Sequence, residues 1–307
     1  MVLLLLQLLF LLFLLVVNGE PLRALLLRRL KLFSDLDFVQ ICLLDVYLGG
    51  LILYVIALLP FRLFNWIVVF CFALLSFLLS VIIHFKALTS LTSFSKIRVF
   101  LTENRKKLFD YAAVFGMFTI FLLINLLSLS GFVFGSVRDE SIHSLDVQVI
   151  LENNFVPATL QPYLAEGIIY PQASHVVFAF AFYMLNMDVP KVVFYASVLF
   201  KSLSVLGAYF LGKKLGVRRA YSLGLSFVFT FISSWPLSIV WGGNPFLVGF
   251  PLFLVCLGLL FSLFCFPTRN SFAELIIVGL LLGYVGATVV SFLQTLIMIA
   301  FLVFTYY

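Results

Sequence analysis

Residues 63–84 read LFNWIVVFCFALLSFLLSVIIH. Not one Asp, Glu, Lys or Arg interrupts them. A helix needs roughly 20 apolar residues to cross a bilayer, and this run supplies them. In lipid every backbone N–H and C=O must be satisfied internally, so only helices or a closed barrel can span. The run is continuous in Leu, Phe, Val and Ile instead of alternating, which selects a helix. Similar runs recur along the chain. We expect an all-α, polytopic transmembrane helix bundle of about nine spans: 2–17, 38–60, 63–84, 110–134, 190–212, 220–241, 245–266, 272–289 and 291–307.

Composition agrees. The 307 residues are 64% hydrophobic and 10% charged, with mean hydropathy +1.21. A soluble domain carries about 25% charged residues. The net charge of +6 comes from bases in short segments between spans. That is the positive-inside pattern and points to no nucleic-acid partner. Cys42, Cys71, Cys256 and Cys265 lie in or at the ends of apolar runs. They read as small buried hydrophobes with no metal spacing. Residues 2–17 lack a preceding positive region and a small-residue cleavage site, so they read as an anchor with its N-terminus outside.

Charge sets the expected topology. The segment 18–37 carries Arg23, Arg28, Arg29 and Lys31. The segment 85–109 carries Lys86, Lys96, Arg98, Arg105, Lys106 and Lys107. Both belong in the cytoplasm. Span 110–134 then runs outward, and the loop after it lies outside. The cluster Lys213, Lys214, Arg218 and Arg219 must return inside, so an odd number of spans must intervene. The apolar stretch 172–187 is short and opens on polar residues, so we expect it to dip in without crossing, leaving 190–212 to cross. With that choice 15 of the 19 Lys and Arg residues are cytoplasmic. Trp241 to Pro245 reads as a tight outer turn. Two regions follow: 1–109, an accessory region of three spans, and 110–307, a core with an outer loop at 136–189. The last apolar run ends at Tyr307 without a polar tail, so we expect the core to be incomplete there.

The loop 136–172 reads SVRDESIHSLDVQVILENNFVPATLQPYLAEGIIYPQ. It holds Asp139, Glu140, Asp146, Glu152 and Glu166 against one base, Arg138. His143 lies within it and His175 just past it. Residues 139–153 have helical character: Ser136 and Asp139 fit a helix-capping pattern, and Asp139 and Glu140 suit the positive end of a helix dipole. On such a helix Asp139, His143 and Asp146 share one face, beside an apolar stripe of Ile142, Leu145 and Val149. We expect the helix to lie along the outer surface with its polar face toward a cavity or water. Three readings of that face stay open. Asp139 or Glu140 acts as a general base in a partly dehydrated site. Alternatively Asp139, His143 and Asp146 share a divalent metal. In the third, the acids only cap and solvate a helix.

Five stretches recur in order: Asp139-Glu140 with His143; Ile150 to Pro157 (ILENNFVP); Tyr170 to His175 (YPQASH); LGKKLGVRR at 211–219; and Trp241 to Pro245 (WGGNP). Together they resemble the GT-C membrane glycosyltransferases, which include oligosaccharyltransferases, protein O-mannosyltransferases and aminoarabinose transferases. The resemblance covers roughly 110–300. It implies inverting transfer of a sugar from a polyprenyl-phosphate donor to a protein, lipid or glycan acceptor, on the outer face of a membrane, most simply a prokaryotic plasma membrane. Asp139 would be the catalytic base, with Glu140 the alternative. Arg138, His143, Asp146, Tyr170, His175 and Lys201 would bind substrate. Lys201 is included because a mid-span charge is costly and functional by default. The turn at 241–245 lacks the second acidic motif of the metal-dependent branch, so no metal ligand is assigned and a divalent cofactor stays open. Asp45 and His84 read as structural. A transporter or flippase of lipid-linked substrates is the alternative, and a non-catalytic membrane scaffold a third.

Overall fold

A computed structural model describes residues 1–27, 30–90, 102–130, 138–164, 171–231, 243–265, 271–289 and 297. Its elements are all helices: α1 (Val2–Leu26), α2 (Lys31–Ser34), α3 (Phe38–Leu58), α4 (Trp66–Ser90), α5 (Arg105–Ser128), α6 (Arg138–Asn153), α7 (Ala173–Leu185), α8 (Val189–Lys214), α9 (Arg219–Phe231), α10 (Asn244–Cys265) and α11 (Ser271–Thr288). Among the described residues six helices are long and apolar enough to cross a membrane: α1, α3, α4, α5, α8 and α10. The chain is a multi-pass membrane protein. Three expected spans differ from that set. The described parts of 220–241 and 272–289 form the shorter apolar helices of α9 and α11, and 291–307 lies almost wholly outside the described residues.

The first apolar run extends further than 2–17. Its helix continues through Asn18, Gly19, Glu20 and Pro21 to Leu26. Arg23 and Glu20 find partners on α3 and α4, while the buried Asn18 amide has no hydrogen-bond partner. Arg23 Nε donates to both Asp45 oxygens, at 2.7 and 3.0 Å. Glu20 accepts from Ser80 Oγ at 2.6 Å and meets His84 Nε2 at 2.8 Å on α4. Asp45 and His84 thus join helices, as their sequence reading held. Helices in lipid associate through small residues that let backbones close up. Gly19 and Gly49 do this where α1 crosses α3.

α8 is the axis of the bundle. Its apolar window is 94% buried, against 17% for α4, whose Trp66, Phe70 and Ile82 face outward. α8 packs most extensively on α10, then on α9 and α5. Pro190 in its first turn and Gly216 at φ +68° bound it, the usual start and stop signals.

Two ends of the bundle can be told apart. At the basic end, Leu32 N–H donates to Glu274 of α11 and Leu32 C=O accepts from Lys214 of α8, both at 2.9 Å. Tyr209 Oη donates to Asp37, the residue that caps α3. At the opposite end, Phe64 N–H donates to Asn154 C=O and Val156 N–H donates to Ala57 C=O. Tyr183 of α7 donates to Phe64 C=O at 3.2 Å. Gln7, near the start of α1, donates to Leu185 C=O at 3.4 Å.

Candidate functional site

α6 and α7 meet at this opposite end. α6 stops at Asn154, whose φ of +60° ends the helix, and Asn154 N–H bonds back to Ile150 C=O at 2.8 Å. α7 stops at Asn186, also left-handed at φ +51°. Asn tolerates this conformation at a helix C-terminus better than most residues. α6 and α7 pack against one another and against α8.

The inward face of α6 is His143, Asp146, Val147 and Ile150. The expectation of a polar face turned to cavity or water is therefore corrected. His143 and Asp146 are each 1% exposed and His175, in the first turn of α7, is 0% exposed. The reason is a polar partner: His175 offers the α6 groups a counterpart that lipid or an apolar core would not. His143 Nδ1 lies 3.0 Å from His175 Nε2, with the ring centroids 5.1 Å apart. His175 Nε2 lies 3.5 Å from Asp146 Oδ2. The three donor atoms fall within 4.8 Å of one another.

Burial sets the charge states. It pushes the Asp146 carboxyl up to about 6, with the nearby Gln172 amide holding the rise back. Burial and then the adjacent His143 push His175 well below the usual imidazole range, opposed by the Pro171 backbone carbonyl. His175 is thus neutral at neutral pH, and the 3.5 Å approach to Asp146 is no ion pair. Neither Asp146 oxygen nor His175 Nδ1 has a partner of good hydrogen-bonding geometry; the Gln172 amide and the Pro171 carbonyl are their polar neighbours. On the solvent side of α6, Gln148 and Tyr163 both donate to Glu152, at 2.8 and 2.6 Å, and hold its carboxyl below the usual range.

The remaining residues expected at the site are distributed as follows. Arg138, Asp139 and Glu140 form the first turn of α6. Tyr170 lies outside the described residues. Lys201 is buried midway along α8, its amine 2.7 Å from Asn125 Oδ1 and 5.3 Å from the Phe121 ring centre. The structure therefore brings His143, Asp146 and His175 together, and gives Lys201 a partner on α5. Asn125 was missed in the sequence, although a lone amide inside the apolar run FLLINLLS was its signal. A separate cavity of about 430 Å³ opens at the basic end, lined by Asp35, Asp37, Lys107, Asp110, Tyr209 and Lys213. Its acids and bases are mixed, which suits hydrated surface charge better than the opposite end's buried donors. No protein family, curated protein or solved structure matches this chain.

Proposed function

We propose that the protein is a membrane glycosyltransferase that moves a sugar from a polyprenyl-phosphate donor to an acceptor at the end of the bundle where α6 and α7 meet. One observation carries the reading. α6, with Asp139 and Glu140 in its first turn, is pinned to the first turn of α7 by three buried polar side chains. A base works only if its helix is held in place, because small misplacements cost large factors in rate. This end lies outside the membrane in the proposal, since the basic end collects Lys31, Lys107, Lys213 and Lys214, and bases favour the cytoplasm.

In the proposed step Asp139 takes the proton of the acceptor nucleophile. The acceptor heteroatom forms a bond to the anomeric carbon from the face opposite the lipid phosphate. The carbon–oxygen bond to the phosphate breaks, and its electron pair leaves on polyprenyl phosphate. Configuration at the anomeric carbon inverts. Glu140 is the alternative base.

Purified protein in lipid vesicles, given polyprenyl-phosphate sugars and candidate acceptors, tests this. Asp139→Asn should slow transfer by about 10²–10⁴-fold, the usual worth of a positioned base, while the protein still inserts and accumulates. Retained transfer in both Asp139→Asn and Glu140→Gln sinks the assignment.

A further inference from the structure

We propose that His143, Asp146 and His175 bind one divalent transition-metal ion, which clamps α6 to α7. The donor set is two imidazole nitrogens and one carboxylate oxygen, all within 4.8 Å of one another. Around a tetrahedral ion with bonds of about 2.0–2.1 Å, neighbouring donors sit about 3.3 Å apart. The observed separations of 3.0 Å (His143 Nδ1 to His175 Nε2) and 3.5 Å (His175 Nε2 to Asp146 Oδ2) bracket that value.

A second observation is independent of the spacing. Asp146 is 1% exposed and neither of its oxygens has a hydrogen-bond partner. Buried carboxylates are paired or coordinate metals. Its Oδ2 faces His175 Nε2 at 3.5 Å, and the neighbouring Gln172 amide carries no charge to balance it. A single proton between the two imidazoles accounts for one contact and leaves the carboxylate's charge unbalanced. A dication answers all three donors at once.

The chemistry chooses among ions. Two imidazoles favour zinc and its neighbours, whereas magnesium and calcium prefer oxygen. Burial of all three ligands suits a structural ion better than one that must admit water and substrate. The ligands come from α6 and α7, so the ion would set the angle at which α6 carries Asp139 and Glu140. The inference stands on the donors and does not depend on sugar transfer.

The test uses the untagged full chain in detergent micelles, stripped with a chelator and titrated with Co(II), then Zn(II). The expected result is one saturable Co(II) per chain, with visible absorption of a tetrahedral N/O site that one equivalent of Zn(II) bleaches and excess Mg(II) does not. Losing an outer-shell partner costs 10–100-fold in metal affinity, so His143→Ala, Asp146→Asn or His175→Ala, each removing a ligand, should weaken binding on the order of 100-fold or more. Wild-type protein that takes up no saturable Co(II) overturns the proposal, whatever the variants do. So do variants of unchanged helicity that bind as tightly as wild type. Wild-type vesicles that transfer sugar but take up no saturable Co(II) would overturn this inference alone.

Discussion

At the scale of single residues, the contact between α1 and α3 turns on two hydrogens. A Cβ on Gly19 would strike the backbone carbonyl of Asp45, and one on Gly49 would strike that of Leu15. Backbone in the middle of two helices cannot rotate aside as a side chain does. Gly19→Ala should therefore force the helices apart, at a cost of about 1–3 kcal/mol or more. Gly116 lies in α5 with nothing near its missing Cβ. There Ala relieves the helix of glycine's entropy and should gain roughly 0.5–1 kcal/mol. Helicity followed against temperature in micelles compares the two, and equal melting of both variants would refute the close crossing. These glycines show what a sequence conceals at this scale. Gly49-Gly50 inside an apolar run signals close approach to something, but which helix approaches depends on the register of two crossing helices. Lys201 conveys the converse lesson. Its cost in mid-span was legible, yet Asn125, the amide that answers it, sits 76 positions away.

At the scale of elements, α1, α3 and α4 are joined by Arg23, Asp45, Glu20, Ser80 and His84. Arg23 and Asp45 are largely buried, at 14% and 1% exposure of their side chains. Arg23→Met strands the Asp45 carboxylate, and breaking a buried pair this way costs about 3–5 kcal/mol. Arg23→Met combined with Asp45→Leu removes both charges and should restore most of that loss. A double variant as unstable as the single one would show that Asp45 has a second role. The same network explains why the first span was read short. Asn18, Gly19, Glu20 and Pro21 look like the end of a span when taken alone, but Asp45 on α3 and Ser80 and His84 on α4 supply partners to the helix as it carries on. α6 misleads in a similar way. Its length was legible from Asp139 to Asn153, because charge and turn residues act locally. Its orientation was not, because His143 and Asp146 look solvated until His175, 32 positions on, covers them. The pairing of His143 with Asp146 on one face followed from helical spacing alone. The third donor needed the fold.

At the scale of the whole molecule, charge counting sets a topology that labelling can test. Counting bases required 172–187 to remain on one side. α7 has 13 residues, which at 1.5 Å each is about 20 Å, too short for a hydrocarbon core of about 30 Å. Its last residues bond to Phe64 and approach Gln7, and its first residues meet α6, whose own end bonds to the turn after α3. The C-terminal end of α7 therefore sits where α3 turns toward α4. Meanwhile Leu32, Glu274, Lys214, Tyr209 and Asp37 gather at the other end of the bundle. These bonds assign the ends without reference to charge, so the two lines of argument can fail separately. Single cysteines in a background lacking Cys42, Cys71, Cys256 and Cys265 put both to the test in sealed cells with a membrane-impermeant maleimide. Phe61→Cys, Ser141→Cys and Thr159→Cys, all at exposed positions, should label from outside. Arg218→Cys should label only after the membrane is opened. Labelling of Arg218→Cys together with Ser141→Cys in sealed cells would mean that α7 crosses. Reversal of all four positions would leave the bundle as described and overturn the charge rule here. It would also move Asp139 and Glu140 to the cytoplasm and remove the outer-face transferase with them.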